Sequence, residues 1–138
     1  MFNLPQERDG ICEILIELDG RKADSVSVCL DNEIGETVVV KYHTKNHTVS
    51  MDRRSSGLTG FSEHFPAVTV APTFDNEGKV SLRVFVDKSS IELFGNNGKF
   101  VMTNLVFPTK PYTRLSLKAH GGKAKVDQLS VYSIKDLK

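Results

Sequence analysis

The stretch VSLRVFVDKSSIELFGNNGKFVMTNLVF, residues 80–107, decides the fold of this chain. From Val80 to Val86 an apolar residue occupies every second position, which is the period of a β-strand with one buried face. Lys88-Ser89 and Asn96-Asn97-Gly98 then interrupt the pattern with turn residues, and Asn and Gly tolerate the positive φ angles of tight hairpins. The stretch therefore predicts three antiparallel β-strands joined by two short turns.

Short alternating segments of this kind recur along the whole chain. Turn residues such as Asp19-Gly20 and Gly121-Gly122 separate them, and no segment shows a convincing helical period. The predicted strands are 11–18, 25–30, 36–43, 47–52, 67–72, 80–87, 90–94, 99–107, 113–119 and 124–134. This pattern favours an all-β fold, an antiparallel two-sheet β-sandwich of the concanavalin or lectin-like jelly-roll type. Residues 1–10 are predicted as an N-terminal lead-in segment and residues 11–138 as a single domain.

Composition limits the classes of function. The 138 residues are 39% hydrophobic and 25% charged, which suits one globular domain that needs no metal or disulfide to fold. The net charge of +1 gives no electrostatic reason to expect nucleic-acid binding, and no apolar run approaches the ~20 residues of a membrane span. Residues 1–10 also lack the hydrophobic core of a signal peptide. We expect neither a nucleic-acid partner nor a membrane partner.

The two cysteines are predicted to be free thiols. Cys12 is in phase with Ile14, on the predicted core face of its strand, whereas Cys29 is out of phase with the core residue Val28 and points outward. Side chains on opposite faces of a sheet cannot readily reach disulfide geometry.

Residues Arg83 to Pro108 resemble a segment of the type RIFVDRSSVEVFxNDGxxxLTxxxFP. That segment recurs in the C-terminal β-sandwich module of glycoside hydrolase family 32, the family of invertases, levanases and inulinases. The segment Met51 to Gly57, MDRRSSG, is similar to the family's (V/L)DRxxSG motif, and Leu115 to Tyr132 is similar to its closing strands. The resemblance extends roughly from Cys12 to Leu137.

The resemblance implies an accessory domain without the reactive groups of the enzyme. In the family, the catalytic carboxylates lie in a β-propeller that precedes this module, and the nucleophile lies in a WxNDPN-type motif. This chain has no Trp, no Arg-Asp-Pro triplet and no Glu-Cys pair. Retaining glycosidases need two carboxyl groups about 5 Å apart. We therefore expect no catalytic residue, no metal and no cofactor in this chain, and a parent enzyme that is a levanase-like β-fructosidase.

Two other functions remain open at this point. The domain could act alone as a lectin-like carbohydrate-binding module, or it could be a protein-interaction or dimerisation sandwich. The expected partner is the catalytic β-propeller of the parent, with fructan or a second copy of the chain as alternatives. The resemblance leaves a secreted or periplasmic parent open, and the sequence itself does not fix the localisation.

Aromatic residues on the face opposite the core form the one candidate interface. Phe85 and Phe94 are out of phase with the core residues of their strands, and a sandwich buries only one face of each sheet. An apolar patch of this kind indicates an interface, unless the termini or a loop of the same chain cover it. The predicted interface residues are Phe85, Phe94, Phe100, Met102 and Tyr132.

Three polar groups offer weaker candidates. His43 and His47 flank a turn and are predicted to face each other across a hairpin, but no third metal ligand has suitable spacing. Asp52-Arg53-Arg54 could bind a sugar hydroxyl, although a structural role at a strand end is the favoured interpretation. Asp87 and Glu92 are interpreted as residues that flank the Lys88-Ser89 turn rather than as a catalytic acid and base.

Overall fold

The computed structural model describes residues 2–4, 11–53, 68–73, 78–106 and 108–133. These residues form eleven β-strands and no helix. The strands are β1 (Phe2–Asn3), β2 (Cys12–Asp19), β3 (Ser25–Asp31), β4 (Thr37–His43), β5 (Thr48–Asp52), β6 (Val68–Pro72), β7 (Lys79–Val86), β8 (Ser90–Gly95), β9 (Phe100–Leu105), β10 (Arg114–His120) and β11 (Lys125–Ser133). Strands β2 to β11 match the ten predicted segments to within two residues at each end.

The strands pair into two antiparallel sheets. One sheet has six strands in the order β1-β10-β3-β4-β5-β6, and the other has five in the order β11-β2-β7-β8-β9. The predicted antiparallel two-sheet sandwich is therefore confirmed. Strand β1 is not predicted from the sequence, because two residues are too few for an alternating pattern and their pairing with β10 is a long-range contact. The division at residue 10 stays a prediction.

The core lies between the two sheets and follows the period of two along each strand. In β2 and β7 the even-numbered residues point inward, as their alternating burial shows. Tyr42 and Met51 are the largest fully buried residues of β4 and β5. Fully burying a side chain such as Leu or Ile contributes about 1.5–3 kcal/mol. Core residues from both sheets form one hydrophobic cluster, which fixes which face of each sheet is left outside.

Two amide side chains connect the neighbouring edges of the sheets. Asn104 of β9 is buried, and its Nδ2 donates to Thr69 Oγ1 of β6 at 3.0 Å. Asn96, in the turn after β8, donates from Nδ2 to the Thr73 carbonyl at 2.7 Å and accepts from the Ser81 amide at 2.9 Å. The φ angles of Asn96 and Asn97 are 48° and 60°, which confirms the predicted turn chemistry.

The two cysteines are free, as predicted from their phases. Cys12 is fully buried in the core, and burial raises the pKa of its thiol to about 11. Cys29 is half-buried on the outer face of the six-stranded sheet, and its pKa is raised as well, chiefly by partial burial. For both thiols burial is the largest effect on the pKa, and it favours the protonated, unreactive form.

Candidate functional site

Phe85 and Phe94 meet on the outer face of the five-stranded sheet. The register places Phe85 of β7 opposite Glu92 and Arg83 opposite Phe94 of β8, so the two rings are diagonal neighbours. Their centroids lie 5.8 Å apart with the ring planes at 89°, an edge-to-face contact. Both side chains are half-buried. Both residues thus lie out of phase with the core of their strands, and their role in an interface stays a prediction.

Arg83 adds charge to the centre of this surface. Its guanidinium carbon lies 5.5 Å from the centroid of the Phe85 ring, within the range of a cation–π contact. Its Nε donates to Glu13 Oε1 of β2 at 3.0 Å. The pair is partly exposed and is screened by solvent, so it orients the arginine more than it stabilises the fold.

Three further residues extend the same face. Leu15 of β2 lies opposite Arg83, Tyr132 of β11 lies opposite Glu13, and Val101 of β9 lies opposite Phe94. Tyr132 and Val101 are 51% and 53% exposed. We call this surface the aromatic face and define it by Leu15, Phe85, Phe94, Val101 and Tyr132. Leu15 and Val101 are not among the residues predicted from the sequence, although their phase opposite the core residues is a usable signal.

The predicted placement of Phe100 and Met102 on this face is wrong. Phe100 pairs with Gly95 and Met102 pairs with Leu93, and directly paired residues share a face of the sheet. Leu93 points inward, so both residues are in the core, each 6% exposed. The Phe100 ring packs over Gly95, where a Cβ atom would overlap the ring. The candidate interface therefore retains Phe85, Phe94 and Tyr132.

The weaker polar candidates take structural positions. Asp87 Oδ1 accepts from the Lys88 amide at 2.7 Å in the turn after β7, and Glu92 lies on the outer face opposite Phe85. Arg53 is buried directly after β5, and burial lowers the pKa of its guanidinium, while Arg54 lies outside the described residues.

The predicted contact between two histidines is also wrong. His43 pairs with Thr48 across the β4–β5 hairpin, and His47 lies within the turn with a φ of 55°. In the described ranges, no three His, Cys, Asp or Glu side chains are placed to hold a metal ion. The same ranges contain no helix with the length and apolar character needed to cross a membrane.

The chain is similar to segments of known fructan-degrading enzymes. The family described as "Glycosyl hydrolases family 32 C terminal" matches residues 6–133. The chain is 39% identical to the levanase of Bacillus subtilis (strain 168) over 97 residues, 70% of this chain. It is 34% identical to the levanase of Bacillus sp. (strain L7) over 103 residues, 75% of this chain. The matched regions make up only 14% and 11% of those two proteins.

A solved structure shows the same likeness. The crystal structure of exo-inulinase from Aspergillus awamori superposes with a TM-score of 0.81 at 28% sequence identity. The superposition covers 91% of this chain and 25% of the exo-inulinase. The matched part of this chain thus corresponds to a minor part of each of these relatives.

Proposed function

The chain belongs to the C-terminal domain family of the family 32 glycosyl hydrolases, and on that premise we propose that it is the accessory, non-catalytic β-sandwich of an enzyme that hydrolyses fructan or sucrose. Its task in this proposal is to pack against the catalytic β-propeller of the parent and to stabilise it. The observation that supports this most is the extent of the match. The 97 matched residues, 70% of this chain, make up only 14% of the Bacillus subtilis levanase, which leaves most of such a protein to carry other tasks.

We assign the contact with the catalytic domain to the aromatic face. The outer face of a sandwich sheet is normally polar, because only the inner faces are buried. Here that position holds two phenylalanine rings in edge-to-face contact, with exposed Val101 and Tyr132 beside them. Exposed apolar side chains grouped around a polar pair such as Arg83–Glu13 are typical of protein interfaces.

A chimeric enzyme tests the assignment. In the chimera, this chain replaces the matching segment of the Bacillus subtilis levanase. We expect Phe94→Ser to lower the Tm of the chimera by at least about 4 °C, because a packed ring is lost from the interface. In the isolated chain the same change is expected to raise solubility and to leave unfolding cooperative. Differential scanning calorimetry and precipitation midpoints measure the two effects.

Val70→Ser is the matched control for this experiment. Val70 is 63% exposed on the outer face of the six-stranded sheet, so the change removes an apolar side chain away from the aromatic face. The assignment is wrong if Val70→Ser and Phe94→Ser destabilise the chimera equally. Loss of cooperative unfolding in the isolated Phe94→Ser variant would instead place Phe94 in the core.

Direct binding of carbohydrate is the rival function for the same surface. A shallow groove on the aromatic face is lined by residues that include Arg83, Phe85, Phe94 and Asn97, which combine apolar rings with hydrogen-bond donors. Affinity electrophoresis in gels that contain levan or inulin distinguishes the functions. Retardation that Phe85→Ser abolishes favours sugar binding, whereas unchanged mobility favours the accessory role. Dimerisation through this face predicts a concentration-dependent elution volume in size-exclusion chromatography.

A further inference from the structure

The outer face of the six-stranded sheet carries a row of alternating lysine and serine residues. The register sets Lys118 of β10 opposite Ser27 of β3, Ser27 opposite Lys41 of β4, and Lys41 opposite Ser50 of β5. Neighbouring strands are about 4.8 Å apart, so the two lysines flank the Ser27 hydroxyl across about 10 Å of sheet. Together with His43 and His120, these four residues line one shallow groove, which we call the basic groove.

Two histidine rings contact the serine hydroxyls of this row. His120 Nε2 lies 3.1 Å from Ser27 Oγ, and His43 Nε2 lies 3.3 Å from Ser50 Oγ. Ser27 is only 6% exposed, so its hydroxyl is held at the floor of the groove by the ring of His120. Hydroxyls, imidazoles and ammonium groups from four strands thus converge on one small area.

The positive charge of the lysines is not neutralised by ion pairs in the described part of the chain. Two other basic residues are ion-paired, Arg114 of β10 with Asp31 and Lys45 of the β4–β5 turn with Asp24, each at 2.8 Å. In contrast, no salt bridge to Lys41 or Lys118 occurs among the described residues. The other titratable groups of the groove are Asp52 at its β5 side and the Cys29 thiol, whose pKa is raised.

The electrostatics of His43 agree with an excess of positive charge. Partial burial lowers the pKa of this imidazole, and the nearby Lys41 ammonium lowers it further. Both causes disfavour the protonated ring when the groove is empty of anions. An anion beside the ring would reverse the effect of Lys41 and raise the pKa.

We propose that the basic groove binds a small oxyanion of the phosphate or sulfate type, either free or as part of a phosphorylated sugar. Ammonium groups and hydroxyls are the donors that such an anion needs, and charge-assisted hydrogen bonds are the stronger kind. No Phe, Tyr or Trp side chain lines the groove within the described residues, so a neutral sugar would find no stacking surface there. The site is separate from the aromatic face, which lies on the other sheet.

Binding is predicted to strengthen as the pH falls. The His43 ring donates from both of its nitrogens only when it is protonated, so an anion bound beside this ring binds more tightly at a pH where the ring carries its second proton. Sulfate is the suitable probe, because its charge stays constant between pH 6 and pH 8. We expect about threefold to tenfold tighter sulfate binding at pH 6 than at pH 8.

Histidine-ring NMR at constant ionic strength measures this binding. We expect saturable shifts of the His43 and His120 rings with sulfate, and no comparable shift of His47, which lies in the β4–β5 turn. Lys41→Gln and Lys118→Gln are each expected to weaken binding about fivefold. Lys99→Gln, in the turn between β8 and β9 of the other sheet, is the matched control and should bind sulfate like the unmodified chain.

The source of the anion follows from a comparison of inorganic phosphate with glucose 6-phosphate at the same pH. Tighter binding of the sugar phosphate identifies a phosphorylated sugar, and equal binding identifies the free anion. The proposal is overturned if neither ring shifts saturably at high millimolar sulfate. It is also overturned if the lysine variants bind like Lys99→Gln, or if sucrose produces the same shifts as sulfate.

Discussion

Phe100→Ala is expected to lower the free energy of unfolding by about 3–5 kcal/mol. The Phe100 ring is 6% exposed and lies in the core over Gly95 of the neighbouring strand. Truncation removes buried apolar surface and leaves a cavity, which Gly95 cannot fill because it has no side chain. Urea denaturation followed by circular dichroism measures the loss.

Phe94→Ala is the matched control, because it truncates a phenylalanine on the adjacent strand of the same sheet. Phe94 lies on the outer face and is only half-buried, so its truncation is expected to cost less than about 1.5 kcal/mol. An equal or larger loss for Phe94→Ala would contradict the assigned faces of β8 and β9.

Gly95→Val is expected to destabilise the fold by about 2–3 kcal/mol, because a Cβ at this position would overlap the buried Phe100 ring. The overlap makes the two positions dependent on each other. In a Phe100→Ala background, the valine should cost at least about 1 kcal/mol less than it does alone. A double-mutant cycle from urea denaturation measures this coupling.

Gly98→Ala serves as the control for backbone effects. Its φ of 87° strains any side chain, but a Cβ there meets nothing within 4 Å. Its cost should therefore add to that of Phe100→Ala without coupling. If Gly95→Val were also additive with Phe100→Ala, the packing of the ring over Gly95 would be refuted.

The strands were predictable because their signal is local. Every second residue of β2 and β7 is apolar. This period can be read from each strand alone, without knowing which strands pair with it. The same reasoning placed Phe85 and Phe94 outside the core. It failed for Phe100 and Met102, where register across the Asn96-Asn97 turn decides the face. The local pattern is ambiguous there, because Val101 between Phe100 and Met102 is apolar as well.

The basic groove was not predictable from the sequence. Ser27 and His120 are 93 residues apart along the chain, and they meet because β10 inserts beside β3 at one side of the six-stranded sheet. Lys41 and Lys118 are likewise ordinary surface lysines in the sequence. Strand order is set by long-range packing, and the alternating pattern carries no information about which strands become neighbours.

The two outer faces of the sandwich thus have different chemistry. The aromatic face offers apolar rings and one arginine–glutamate pair, which suits contact with a protein domain. The basic groove offers lysines, imidazoles and hydroxyls, which suits a small anion. A domain that docks through one sheet leaves the other sheet accessible, so the two roles are compatible in one protein.

A fructose-release assay on the purified chain tests most directly the proposal that this chain is a non-catalytic accessory domain. The chain is incubated with sucrose, inulin or levan, with the Bacillus subtilis levanase as the positive control for the assay. We expect no fructose above the buffer blank at any protein concentration, because the proposed function assigns the reacting carboxylates to another domain. Turnover that rises with the concentration of the chain and survives repurification would contradict it.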